Sequence, residues 1–459
     1  MQNDDTLPQT VLFPDLFNKP VVATFDQPHA SSDGGAVLLK AAERGYGFIK
    51  GFARWLIDDR QPGKVHHTLE DVLAQRIFGL ACGYPDANDA DRLADDPIQK
   101  LLLGRDPVAG ARLASQPTVS RVENAPGPRA LYRMGVTLAD AVIERHRERL
   151  HGRARRITID LDPTDDPTHG APQLSFFNGH YDSWCYLPLL AFVTFDDEVE
   201  QYLCAAVLRP GNAPATRGAC GVLWRLLELL REAFPEARLR VRLDGGFATP
   251  EILDRLDDER GVDYVVAMAE NAVLTRHAAA AMTEARTLSA TSGQTEHVYT
   301  ETRYAAQTWP HERRVVIKAE VVQLAGREPR DNARFVITNL RPTPRFVYEH
   351  VYCARGDIEN RIKELHELQI GRTSCTRFWA NQLRVLLTAA AYVLMQELRL
   401  QAAGTACART QVTGLRERLL KLGVSVVVSV RRIVLHLPLS TPALDAWRTI
   451  ARALGATTG

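Results

Sequence analysis

Three carboxylates carry the most specific chemistry in this sequence. Asp162 ends the run ITIDLD (157–162), Asp244 ends ARLRVRLD (237–244), and Glu359 lies in YCARGDIENRIKELH (352–366). Hard divalent cations prefer oxygen ligands. A trio of carboxylates can hold two Mg²⁺ ions that clamp the attacking and leaving oxygens of an in-line phosphoryl displacement. A single Asp at a strand end is more often a turn residue. Three acids in this order, the last among cations, form a stronger pattern. Asp160 competes with Asp162 for the first position, because both fall on one side of an alternating run.

The elements that must position these groups are legible from their periodicity. On a helix, Tyr352, Arg355, Glu359, Lys363 and His366 follow at steps of three or four and share a face. Ile358, Ile362 and Leu365 form an apolar back. Two readings of the front stand open. In one, Arg355 and Lys363 bridge to Glu359 on a solvated surface. In the other, Glu359 is a metal ligand and its basic neighbours hold nucleic-acid phosphates. In ITIDLD, Ile157, Ile159 and Leu161 face one way and Thr158, Asp160 and Asp162 the other. Strands disfavour Asp, so two on one face call for a reason.

Further strands are expected in SFFNGHYDSWCYLPLLAFVTF, VEQYLCAAVLRPGN, ARLRVRLDGGF and VDYVVAMA, with helices in GVLWRLLELLREAF and TPEILDRLDDERG. The order β-β-β-α-β-α-β, with Asp ending the first and fourth strands, is the ribonuclease-H-like arrangement. The expected fold is therefore α/β: a ribonuclease-H-like core with a mainly β insertion, preceded by a helical DNA-binding region. The expected division is a loose arm over 1–53, the helical region over 54–156, and the first core part over 157–270. The β-rich insertion follows over 271–345, then the second core part with the Glu359 helix over 346–400, and a C-terminal region over 401–459.

The helical region offers two candidate nucleic-acid contacts. Thr118-Val119-Ser120-Arg121 resembles a helix-turn-helix entry, with Arg121 and Asn124 available to point outward. An ordinary helical bundle would look the same. The run RHRERLHGRARR (145–156) carries six arginines, among them Arg153, Arg155 and Arg156, against one Glu. It reads equally as a solvated helix end or a phosphate-contacting segment.

With 459 residues, the chain exceeds one compact core. Its 45% hydrophobic and 24% charged residues mark a globular protein. A net charge of +1 gives no overall attraction to nucleic acid, so any binding surface must segregate its charge. The seven scattered cysteines show no CxxC spacing and fit a reducing cytoplasm. The polar start MQNDDTLPQT is unlike a signal peptide, and no stretch is expected to span a bilayer.

These motifs together resemble the DDE transposases of bacterial insertion sequences, and among them the thirteen-eighty family. The helix signature of the wider group is Tyr-x2-Arg-x3-Glu-x6-Lys. This chain has Tyr352, Arg355 and Glu359, with His366 where Lys is expected and Lys363 on the same face. VHHTLEDVLAQR, GYPDANDADRLADDP, SQPTVSRVEN, DPTDDPTHG, FFNGHYDSWCYLPL, LRPGNA, LDGGF and FVITNL add to the likeness, which runs from about residue 20 to the C-terminus.

The resemblance implies Mg²⁺-dependent cut-and-paste movement of an element bounded by inverted repeats, with Mn²⁺ as a substitute ion. Asp162, favoured by the Asp-Pro-Thr that it opens, would hold metal with Asp244 and Glu359. Arg355, Lys363 and His366 would position phosphates, and Tyr352 would orient the strand. The implied partners are terminal-repeat DNA, target DNA and a second copy of the chain, in a bacterial cytoplasm and on the nucleoid when bound to DNA. A metal-dependent nuclease with the same core, or a DNA-binding derivative without catalysis, are the rival activities. Trp309, in the polar stretch QTWPHERR, either packs under the insertion sheet or stacks on an unpaired base, as an insertion-domain tryptophan does in hairpin-forming relatives.

Overall fold

The computed structural model describes residues 10–13 and 16–457. Most of the N-terminal stretch read against a signal peptide lies outside them. The chain is a mixed α/β protein built on one eight-stranded sheet. Its strands in chain order are β1 (Arg156–Pro163), β2 (Leu189–Phe195), β3 (Tyr202–Val207), β4 (Arg238–Leu243), β5 (Val262–Met268), β6 (Glu296–Tyr304), β7 (Arg313–Val322) and β8 (Arg330–Thr338). Across the sheet the order is β6-β7-β8-β5-β4-β1-β2-β3. β1, β2 and β3 run antiparallel to one another in turn, whereas β4 is parallel to both β1 and β5. Five strands in the order β3-β2-β1-β4-β5 are compatible with the ribonuclease-H-like core expected from the sequence.

The β-rich insertion is present, but it continues this sheet. β8 pairs antiparallel with β5 from Val265↔Thr338 to Met268↔Phe335. The strand-forming residues are Val, Ile and Phe, which alternate into the core. A helix over Ala272–Ser292, longer than expected, covers β6 and β7. On another side Val265, Val316 and Val336 pack with Val347, Tyr348 and Val351, the segment leading to Glu359.

The helices of the amino-terminal half pack on the same core. Six helices of the whole chain are labelled in chain order: α1 (Leu69–Ala81), α2 (Pro128–Arg149), α3 (Ala219–Ala233), α4 (Ala272–Ser292), α5 (Asp357–Glu367) and α6 (Phe378–Gln401). α6 is almost wholly buried and touches α1, α2 and β3. A residue such as Leu39 or Phe78 thereby joins the same apolar cluster as Ile159 and Leu394. Residues 37–53 differ from the loose arm read from the sequence. Helices Val37–Tyr46 and Phe48–Ala53, joined at the left-handed Gly47, bury Leu38, Leu39, Phe48 and Phe52. Among the described residues no helix is long and apolar enough to cross a membrane.

One polar cluster fixes α5 against α6. The Glu364 carboxylate accepts from Arg399 and, at 2.7 Å, from the Tyr392 hydroxyl. Arg399 also reaches Glu200 at 2.8 Å, and Arg361 joins both acids. Glu364 and Arg399 are buried, so neither can regain water if its partner is lost. Arg399→Leu should cost about 3–5 kcal/mol in urea denaturation. The double variant Arg399→Leu/Glu364→Leu should recover a large part of that loss.

Candidate active site

The two aspartates meet because of strand register. β1 and β4 are parallel, with Arg242 beside Asp160. The paired register ends there, and two residues further along each chain segment Asp162 and Asp244 converge on one Arg355 nitrogen. Asp244 leaves the strand to cap the short turn Gly245–Phe247, its Oδ1 accepting the Gly246 amide at 2.9 Å. A Cβ on Gly246 would lie 2.8 Å from Ala215, so glycine lets the turn close against that loop.

Asp160 and Asp162 have different environments. Asp160 is fully buried and accepts two hydrogen bonds from Arg242, at 2.7 and 2.6 Å, and one from Gln201 at 3.0 Å. Its charge and lone pairs are committed. Asp162 instead opens onto the end of the sheet, where Arg355 reaches its Oδ1 at 2.8 Å and Asp244 Oδ2 at 3.7 Å. Burial pushes the Asp162 carboxyl up to about 7; Arg355 opposes this, and the negative charges of Asp244, Glu359 and Asp160 reinforce it.

The segment carrying Arg355 is not one continuous α-helix from Tyr352. Val347–Tyr352 is a π-helical turn, Cys353–Gly356 is 3₁₀, and α5 starts at Asp357. Arg242 donates to the Val351 carbonyl at 3.3 Å, so a tertiary bond holds this irregular turn. Such turns inside helices recur at functional sites. The turn sets Arg355 against the two aspartates. Glu359 follows in the first turn of α5 and is exposed, as is Lys363. Neither Arg355 nor Lys363 pairs with Glu359 among the described residues, so the surface salt bridges of the first reading are not formed.

His366 turns to the loop after β1. Its Nε2 lies 3.1 Å from the Thr164 hydroxyl, and burial holds its imidazole below the usual range. It is therefore neutral near pH 7 and braces the Asp162-Pro163-Thr164 loop. Two residues on, Asp166 is fully buried, accepts from Thr373 at 2.7 Å, and is pushed up to about 7 by burial. Tyr352 is half-buried, its ring 5.4 Å from that of Tyr348.

The residues present fit a divalent cation. The donors are hard oxygens, and the rise that burial and then the neighbouring carboxylates give Asp162 is opposed by positive charge, a place now taken by the Arg355 guanidinium. Among the described residues no three His, Cys, Asp or Glu side chains are close enough to enclose an ion. Asp162 and Asp244 would form the base of such a site, with Glu359 arriving from α5.

Other candidate contacts lie elsewhere. Arg153, Arg155 and Arg156 are at the start of β1, roughly 20 Å from Asp162 along the strand. Arg155 and Arg156 pair with Asp197, and Arg145, Arg147 and Arg149 pair with Glu397, Glu144 and Glu198. Arg153 is exposed. Arg121 is exposed on helix Gln116–Asn124, whose Val119 and Val122 are buried and whose last carbonyl accepts from Arg377 at 3.0 Å. Trp309 is only 9% exposed. Its ring lies edge-on to Tyr304, with the Arg313 guanidinium 4.8 Å above it. Arg313 in turn binds Asp254 and Asp257, and Arg314 binds Glu301.

The sequence reading did not identify Arg242 as the partner of Asp160. The alternation RLRVRLD does carry the signal, since Arg242 falls on the same side of its strand as Asp244. The partnership of His366 with Thr164 has no such local signal.

Two outcomes follow from these environments. The folded-state pKa of Asp162 is raised, so its burial is harmless below about pH 4, grows more unfavourable as pH rises from there to about 7, and costs a constant amount above it. Without divalent ions, Asp162→Asn should therefore melt at a higher temperature than the parent at pH 8, and the difference should vanish toward pH 4. Trp309→Ala should cost about 3–5 kcal/mol as a core truncation, measured by denaturant unfolding. Any DNA nicking and joining should then fall together.

Comparison with known proteins bears on the same arrangement. No curated protein matches the chain. The family model of the transposase DDE domain, group 1, matches residues 13–458, nearly its whole length. The chain belongs to the transposase DDE domain group 1 family.

Proposed function

We propose that this transposase moves an insertion sequence of the thirteen-eighty type by cut-and-paste. Hydrolysis at each terminal inverted repeat frees a 3′-hydroxyl, which then attacks target DNA. The observation that carries this reading is the convergence of Asp162, on β1, and Asp244, just past the end of the parallel strand β4, on the Arg355 guanidinium. Asp162, Asp244 and Glu359 would hold two Mg²⁺ ions, or Mn²⁺ in their place. Bound there, the ions would polarise the scissile phosphate and activate the attacking oxygen.

The side chains have separate tasks. Arg355 lies between the aspartates in the free protein, and its guanidinium is the charge-assisted donor we assign to a phosphate oxygen. Lys363, exposed on α5, supplies a second cation on the same helix. His366, neutral and bonded to Thr164, holds the Asp162 loop. Tyr352 borders the strand path. Arg121 and Arg153, exposed and without a carboxylate partner among the described residues, are the cations we assign to terminal-repeat contacts in 54–156. Two copies would pair two ends.

The test uses the DNA ends flanking the protein's own gene, with Mg²⁺. Asp162→Asn, Asp244→Asn and Glu359→Gln should each abolish cleavage and joining yet bind the ends nearly as the parent does. Each should also lose the rise in melting temperature that Mg²⁺ gives the parent. Near-normal cleavage in any one of them removes that residue from the assignment. Cleavage without joining by the parent would make it a nuclease, and binding without cleavage a DNA-binding derivative.

A further inference from the structure

The stretch FFNGHYDSWCY presents aromatic rings to solvent at the catalytic end of the sheet. Strands Phe176–Asn178 and Ser183–Tyr186 form a hairpin with Phe177 opposite Trp184. The two rings meet edge-on at 6.4 Å, yet Phe177 is 51% and Trp184 58% exposed. Phe176, paired with Cys185 on the other face of the hairpin, is partly open as well. Rings of this size ordinarily go to a core.

The hairpin is clamped at its base. A Cβ on Gly211 would lie 2.1 Å from the Cys185 carbonyl and 2.6 Å from that of Phe176, so the backbone of the LRPGNA turn lies directly against the hairpin. Asn178 donates to the Gly211 carbonyl at 2.8 Å, and the Tyr186 hydroxyl to Gln173 at 2.7 Å. The rings are thus held out on a fixed support.

That support is joined to both aspartate loops. Asp166-Pro167, just past Asp162, pairs with Tyr186 and Cys185. Arg209 is buried and donates to Leu187 at the hairpin base and to Ala215, the residue against which Gly246 closes. At the hairpin tip, burial raises the Tyr181 phenol, and the charges of Asp165, Asp162 and Asp244 reach it and add to the rise.

We propose that Trp184 and Phe177 form a stacking platform for an unpaired base of the DNA end, next to the phosphate held at Asp162 and Asp244. This rests on the transposase reading above. The size of the patch favours a base over a second protein. The two partly covered rings on this face offer far less than the roughly 800 Å² per partner of a stable protein interface, whereas one base is matched to one or two rings. Stacking is blind to sequence and needs only a flat π face. Trp309, covered by Arg313, has no open face for that task.

Replacing Trp184 tests this through the base it contacts. Trp184→Leu keeps an apolar side chain but removes the ring, and Trp184→Phe restores one. Binding and cleavage are measured on end duplexes with a single abasic site placed in turn at each position flanking the cut. On intact ends Trp184→Leu should lose about 5- to 100-fold in affinity or cleavage rate, with the melting temperature unchanged and Trp184→Phe close to the parent. At one abasic position the parent should fall to the level of Trp184→Leu, and the variant should fall no further. Equal behaviour of Leu and parent on intact ends overturns the platform, as does a loss that no abasic position shares. A shift from dimer to monomer in sedimentation, without coupling to any base, reassigns the hairpin to a protein interface. A parent that neither binds nor cuts its ends defeats the transposase reading itself.

Discussion

The buried pair of Asp160 and Arg242 is the interaction on which the site depends. It ties the two central parallel strands in the register that brings Asp162 beside Asp244. The same guanidinium holds the Val351 carbonyl, and so the turn that delivers Arg355 and α5. A buried ion pair is weak evidence of stability, because desolvating two charges offsets much of their attraction. Its value here is geometric. An apolar pair would fill the space without fixing how far β1 slides along β4 or where the π-helical turn lies.

Much of the fold was legible because its signals are local. Alternation identified β1 and β4, since a half-buried strand writes a period of two into its residues. The two aspartates were legible because Asp is unexpected at those places. What the sequence hid is set by distant partners. The arginine run looked like a free cationic segment, and its carboxylates at Asp197, Glu198 and Glu397 lie far away in the chain. The helix around Arg355 looked uniform, and a tertiary bond to Val351 makes part of it π-helical. Trp309 stood in a polar stretch, and its covering comes from Tyr304 and Arg313 on the strands either side. Residues 37–53 were too short and too glycine-bounded to announce the core that they join.

Charge is handled by pairing more than by segregation. The near-zero net charge is mirrored in a surface where many arginines already have carboxylate partners. The catalytic end departs from this pattern. There a carboxylate is pushed up to about 7, one guanidinium serves two acids, and a cationic position of the family signature is filled by a neutral histidine. The end of the sheet that carries Asp162 and Asp244 is therefore short of positive charge in the free protein.

The shared sheet has a consequence for how this protein can vary. Because β8 hydrogen-bonds to β5, and the insertion's apolar surface seats the segment that carries Arg355, the insertion is no removable cassette. Deleting it would bare an edge of the catalytic sheet and leave the turn before α5 with nothing to rest on. Exchange of this region between relatives should succeed only as a block that includes the strand bearing its partner residues, and length changes should be confined to the turns joining β6, β7 and β8.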